Sequence, residues 1–184
     1  PLLPPAPIIK TVSPAQTAKL VKPGDTVLII GAGGKSGMLC CYEAKKRAGV
    51  TGKVIGLCHS EKSAKRLLDL GFCDHVFTAD ATQPVAVYEK IEELTNGKLC
   101  DVTINNVNIE NTEMASIICT KDDGVVYFFS MATSFTKAAL GAEGVGKDVT
   151  MIVGNGYTKG HAEITLQELR ENEALRKVFT DLYA

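Results

Sequence analysis

An apolar run that empties straight into a glycine-rich turn and then a helix leaves a chain few folds to choose from, and residues 25–49, DTVLIIGAGGKSGMLCCYEAKKRAG, form such a run. Asp25 to Ile30 is short, apolar and β-branched, the pattern of a strand buried on both faces of a parallel sheet. After the turn, Gly37, Cys41, Ala44 and Ala48 recur at helical spacing, giving one narrow stripe of small residues that can lie close to a sheet. Lys45, Lys46 and Arg47 suit the negative end of that helix, and Gly49 can stop it.

The turn itself, Gly31 to Gly37, admits two phosphate-binding readings. Gly34-Lys35-Ser36 resembles the tail of a P-loop, G-x-x-x-x-G-K-S/T, but the first glycine of that motif falls on Ile29. A strict G-x-G-x-x-G also fails, because Ser36 stands where the third glycine belongs. The spacing that works is Gly31, Gly34 and Gly37. Gly31 then makes the tight strand exit, Gly34 lets the backbone approach a pyrophosphate, and Gly37 lets the helix pack closely. Backbone N–H groups at the helix start would hold the anion. The competing reading is a glycine loop of an α/β domain with no ligand, since a bare glycine motif is weak evidence.

Beyond this unit strand and helix patterns alternate, the signature of a parallel sheet with helices on both faces. KVIGLC (Lys53 to Cys58) predicts strand two, followed by a helix capped by Ser60, with Ala64, Leu67 and Leu68 on its buried face and Gly71 at its end. HVFTA predicts strand three, and a helix follows Pro84 with Val87, Ile91 and Leu94 inward, ending near Asn96-Gly97. DVTINNV (Asp101 to Val107) predicts strand four, and Met114, Ile117 and Ile118 mark the next helix face. Asp123-Gly124 reads as a turn before strand five, Val125 to Phe129, and Val149 to Val153 as strand six. Thr165 with Glu168 reads as a capping box opening a helical pattern that runs almost to the end. The fold expected is α/β: a Rossmann doubly wound, six-stranded parallel sheet in the order 3-2-1-4-5-6.

In that fold ligands bind outside the carboxyl ends of the strands, near the switch point, which selects candidate residues directly. For a cofactor these are Gly31, Gly34, Lys35, Ser36 and Gly37 after strand one, and His59 and Ser60 after strand two. Asp80 and Ala81 follow strand three, Asn106 and Val107 strand four, and Ser130 strand five. Cys58, Asn105, Asn108, Met131 and residues 155–161 occupy equivalent ends. Asn105, Asn106 and Asn108 have an equally good role in bonding the strand-to-helix turn. An NAD site usually places Asp or Glu at the end of strand two. This chain has Cys58-His59-Ser60 there and Glu61 one residue later, which leaves NAD against NADP open.

Composition narrows the class. The chain has 184 residues, 45% of them hydrophobic, enough for one domain with a sizeable core. A net charge of −1 with no basic stripe argues against nucleic acid as a partner, and no apolar run approaches the roughly 18 residues of a membrane span. Six cysteines without C-x-x-C spacing read as core hydrophobes of a reducing cytoplasm, and no metal-ligand spacing is present. Residues 1–13 open with four prolines in seven and read as a linker or cut interdomain segment, which makes residues 14–184 the dinucleotide-binding domain.

KPGDTVLIIGAGGKSGMLCCYEAKKRAG together with GKVIGLC resembles the cofactor domain of the medium-chain dehydrogenase/reductase superfamily, whose quinone-reductase-like members share the relaxed glycine spacing. AKLVKPGD, YFFSMATSFTKAALGAEGVGKD and TMIVGNGYTKGHAEITLQELREN are more specific. They resemble the diamino-acid dehydrogenases of bacterial lysine fermentation, over roughly Ala15 to Ala184. The resemblance implies NAD-dependent oxidative deamination of 3,5-diaminohexanoate to 5-amino-3-oxohexanoate, with ammonium released. It also implies a GroES-like catalytic domain that this chain lacks, and places there the zinc ligands found in many superfamily members. The expected partners are the small diamino acid and a second copy of the chain in a homodimer. A base is required because the substrate amine is mostly ammonium at neutral pH. Tyr157 and His161, after strand six, are candidates, as is Lys137 after strand five. A dinucleotide-binding module without catalysis, and a quinone or enoyl reductase of the same superfamily, are the alternatives.

Overall fold

The β-branched run after Asp25 forms β1 (Thr26–Ile30), and its residues divide strictly between two cores. Val27 and Ile29 point to one face and Leu28 and Ile30 to the other, as the period of two requires, and all four are fully buried. The computed structural model describes residues 12–154 and 158–183. Around β1 lie β2 (Lys53–Cys58), β3 (His75–Thr78), β4 (Cys100–Asn105), β5 (Thr120–Phe128) and β6 (Val149–Val153), all parallel, in the order β3-β2-β1-β4-β5-β6. This is the doubly wound order that the alternating pattern predicts.

On the Val27/Ile29 face pack α1 (Val12–Leu20), α2 (Lys35–Ala48), α3 (Glu61–Leu70), α7 (His161–Glu171) and α8 (Glu173–Tyr183). The other face carries α4 (Pro84–Thr95), α5 (Glu113–Ile118) and α6 (Phe135–Gly144). Local chemistry sets several of these ends. Ser60 caps α3 by accepting from the Ser63 N–H, and Gly71 ends it in the left-handed region at φ 69°. Pro84 opens α4, and Asn96 closes it at φ 52°.

The structure corrects five expectations. Leu68 is 56% exposed, since α3 turns its Ala64 and Leu67 side inward and residue 68 lies a further step round the helix. Asp123-Gly124 does not precede strand five but lies inside β5, where Asp123 takes φ 62° and the register against β4 jumps from Cys100↔Thr120 to Val102↔Val125. The local turn signal was therefore a bulge. Thr165 and Glu168 do not cap a helix: α7 starts at His161 after Gly160, and both side chains are fully buried within it. Asn172 then breaks the expected single helix into α7 and α8. The strand expected over Asp101 to Val107 ends at Asn105. Two helices escaped the sequence reading, α1 and the glycine-containing α6. Residues 1–11 of the expected linker lie outside the described residues, and Val12 and Ser13 already belong to α1.

Burial of Glu168 creates an unusual polar layer between α1, α2 and α7. Both of its carboxyl oxygens, the Ser13 and Thr165 hydroxyls and one oxygen of Glu43 are buried without a hydrogen-bond partner. Glu43 is itself paired with Arg47 at 2.7 Å and Lys46 at 3.4 Å. Removal from water and the nearby Glu43 carboxylate push the Glu168 carboxyl up to about 9, so Glu168 is a neutral acid inside the folded protein.

Candidate functional site

At the carboxyl end of β1 the chain turns through Gly31, at φ 79°, with Val107 against it at 3.4 Å from where a side chain would begin. The Gly31 and Ala32 N–H groups both donate to the Leu57 carbonyl at 3.0 Å, which locks the turn onto β2. Gly33 lies against the first turn of α3: a Cβ there would fall 2.5 Å from Ser63 Cβ and 3.3 Å from Cys58 Sγ. Gly37 is closed still more tightly, since a Cβ there would run into the Gly31 carbonyl oxygen and the Ala32 backbone. Gly34 differs from both. A Cβ there would meet nothing nearer than the Gly31 oxygen at 3.4 Å, and Gly34 is exposed. Gly34 is also the cap of α2, with no side chain bonding the first-turn N–H groups. Unpaired N–H donors beside an open Gly34 face are an arrangement that could hold an anion such as a pyrophosphate. Lys35 is engaged elsewhere, its Nζ 4.0 Å above the Tyr183 ring. Ser36 is half-buried in the first turn of α2.

On one side of the turn is a cavity of about 290 Å³ beyond the ends of β2, β3 and β4. Gly31, His59, Asp80, Ala81 and Val107 line it, joined by Leu57, Thr82 and Ile109, which sequence reasoning missed. The Asp80–Thr82 spacing was the available signal: Asp80 Oδ1 accepts both the Thr82 N–H at 2.9 Å and its hydroxyl at 2.7 Å. These two bonds hold the Asp80 carboxyl below its ordinary range, so it is an anion at neutral pH. Ser60 is exposed at the α3 cap beside the cavity.

The asparagines separate into different roles. Asn105 is fully buried and satisfied, donating to Thr112 Oγ1 at 2.9 Å and Ser116 Oγ at 3.0 Å while accepting from the Val107 N–H. It braces the β4 exit. Asn106 accepts from the Cys40 thiol at 3.9 Å, and its amide nitrogen is buried without a partner.

A second cavity, of about 240 Å³, opens beyond β5 and β6 between Ser130, Met131, Thr133, Phe135, Val153 and Gly154. Met131 and Phe135 are exposed and apolar. The loop carrying them is tied to the loop after β4 by three bridges. Ser130 donates to Asn108 at 3.4 Å, Lys137 Nζ to Asn111 at 2.6 Å, and the Ser134 N–H to the buried Glu113 carboxylate at 2.7 Å. Glu113 was not singled out in the sequence, because a lone acid in a helix start reads as a dipole partner. Lys137 is thus already engaged. Tyr157 lies outside the described residues, and His161 is the half-buried first residue of α7.

Among the described residues no three His, Cys, Asp or Glu side chains form a set that could hold a metal ion. Burial pushes the Cys40 and Cys119 thiols up to about 12, which makes them unreactive core groups. Nor is any helix among the described residues long and apolar enough to cross a membrane.

The model of a family described as zinc-binding dehydrogenase matches residues 37–161. L-erythro-3,5-diaminohexanoate dehydrogenase of Acetoanaerobium sticklandii is 66% identical over 171 residues, 93% of this chain and 50% of the relative. The enzyme of the same name from Fusobacterium nucleatum is 56% identical over the same span and shares. The chain thus spans about half the length of the curated relatives it matches. Among solved structures, an Escherichia coli quinone oxidoreductase complexed with NADPH superposes with a TM-score of 0.64 at 21% identity, covering 96% of this chain and 52% of that one. The alcohol dehydrogenase TADH from Thermus sp. ATN1 gives 0.64 at 21%, over 95% and 53%. These two likenesses speak for the fold.

Proposed function

This chain belongs to the zinc-binding dehydrogenase family, and from that premise we propose that it is the dinucleotide-binding half of an NAD-dependent dehydrogenase that deaminates 3,5-diaminohexanoate to 5-amino-3-oxohexanoate in lysine fermentation. The observation that carries the cofactor reading is the open Gly34 face at the uncapped start of α2, between two cavities at the switch point of the sheet. The substrate reading is supported by relatives at 66% and 56% identity.

In this reading the α2 N–H groups and Gly34 hold the pyrophosphate, the larger cavity takes the adenosine half, and the Ser130–Phe135 loop borders the nicotinamide half. The nicotinamide supplies the hydride acceptor for the amine-bearing carbon. This chain's own part is to bind and orient: Asn105 and Gly31 fix the β4 and β1 exits, while Glu113 holds the loop beside the second cavity. His161 and Tyr157 remain the candidates for a proton acceptor after β6. No step is assigned to zinc, since the described residues assemble no ligand set for it. The protein works in the cytoplasm as a homodimer, and the 184-residue chain by itself binds dinucleotide without turning over the diamino acid.

Titrating NADH into the purified chain and following its fluorescence and the thermal midpoint tests the cofactor reading. Absence of any change at millimolar ligand would sink it. A protein of the relatives' full length should oxidise the diamino acid in preference to enones or quinones. Preference for an enone would overturn the substrate reading while leaving the cofactor reading intact.

A further inference from the structure

A dinucleotide lying across the glycine turn sends its adenosine half toward the larger cavity, where the ribose either carries a 2′-phosphate or does not. The end of β2 offers no carboxylate to make that choice, because Cys58 is buried and the exposed residues after it are His59 and Ser60. Two carboxylates stand nearby by other routes, one on the cavity wall and one just outside it. Asp80 lines the cavity from the end of β3, exposed and anionic, with one carboxyl oxygen held by Thr82. Glu61, the first residue of α3, is turned back over β3, where its Oε1 accepts the Thr78 hydroxyl at 2.5 Å. None of the residues lining the cavity is Lys or Arg. Of the three basic residues on α3, Lys62 is exposed beside Glu61, Lys65 pairs with Asp69 at 3.3 Å, and the charge of Arg66 acts on Cys58 and Tyr183.

We propose that Asp80 and Glu61 together select NAD(H) over NADP(H), by placing two fixed negative charges where a 2′-phosphate would have to lie. The role ordinarily given to an acid at the end of β2 is carried here by an acid at the end of β3 and another on the following helix. Each is pre-set by a threonine, Thr82 and Thr78, so neither can swing away without giving up a hydrogen bond. The proposal rests on the cofactor reading above. A doubly charged phosphate about 6 Å from one carboxylate in water is disfavoured about tenfold, falling to about threefold at physiological ionic strength. Two carboxylates therefore give roughly tenfold discrimination at that ionic strength, and more at low salt.

The test is to titrate NADH and NADPH separately into the chain and into Asp80→Asn, Glu61→Gln and the double variant, at low and at physiological salt. Both amides keep the oxygen that accepts from Thr82 or Thr78, so the cavity wall is preserved. The expected result is that the wild-type chain prefers NADH about tenfold, each single variant loses about threefold of that, and the double variant binds both alike. Wild-type preference should also shrink as salt is raised, which a steric barrier would not produce. Equal binding of the two cofactors by the wild type, or a preference for NADPH, overturns the proposal; the latter outcome would point to Lys62 or Arg66 as the dominant charge. A wild-type preference that the double variant retains overturns it too, while leaving the cofactor reading standing. Binding of neither dinucleotide overturns both.

Discussion

Replacing Glu168 by Gln should stabilise this protein, by an amount that grows with pH. The side chain is fully buried between α1, α2 and α7, both of its oxygens lack a partner, and its carboxyl is raised from 4.5 to about 9. Below about pH 4.5 the folded and unfolded chains both carry the proton, so the group costs nothing. Above it the unfolded chain releases a proton that the folded one keeps, and stability falls by about 1.4 kcal/mol per pH unit until about pH 9. Near pH 7.5 the accumulated loss is about 4 kcal/mol as an upper bound, and relaxation around the group brings the expected value to about 2 kcal/mol. Glutamine imitates the neutral acid, and its amide can donate to the Glu43 oxygen that has the Lys46 ammonium at 3.4 Å but no hydrogen bond. For a domain of this size about 2 kcal/mol corresponds to roughly 4–8 °C in thermal midpoint. The other titratable groups facing Glu168 are Cys40, Glu43 and Lys46 on α2 and Glu171 on α7. Cys40 is held at about 12 and Lys46 is raised, so neither titrates in the window. Urea melts of both proteins at about pH 5, 7 and 8.5 give the slope. A difference that is flat or shrinks with pH would refute the neutral-acid account.

Other outcomes follow from the same geometry. Gly34→Ala should fold normally yet weaken NADH binding by about 1–3 kcal/mol in a fluorescence titration, whereas Lys35→Ala, which loses only its stacking on Tyr183, should change it little. The reverse order would show that the lysine reads phosphate as in a P-loop. Glu113→Ala should weaken NADH more than ADP, because its bond to Ser134 shapes the loop at the second cavity alone, with Glu113→Gln restoring part of the loss. Equal losses for both ligands would mean a general folding defect. Leu67→Ala should cost about 2–5 kcal/mol in chemical denaturation and Leu68→Ala within about 0.5 kcal/mol, the contrast that separates the two faces of α3.

By itself the sequence determined the fold class, because strand order in a doubly wound sheet follows from strand and helix alternation with a glycine turn after the first strand, and each of those signals is local. It determined the spacing of Gly31, Gly34 and Gly37, but not which of them leaves room for a ligand. Gly34 stands open because Gly31 folds under it, while Gly33 is filled by Ser63, some 30 residues away, a contact that no local pattern encodes. The same holds for the acids. Glu61 reads as a misplaced ribose partner, and only the fold brings its carboxylate to Thr78 at the end of β3, two residues before Asp80. Glu113 gains meaning only from Ser134. Thr165 and Glu168 have the spacing of a cap, and only the packing of α7 against α1 and α2 makes them interior residues. Leu68 and the Asp123 bulge failed for a related reason: helical phase and strand register are fixed by the surface an element packs against, which periodicity in one segment specifies only to within a residue.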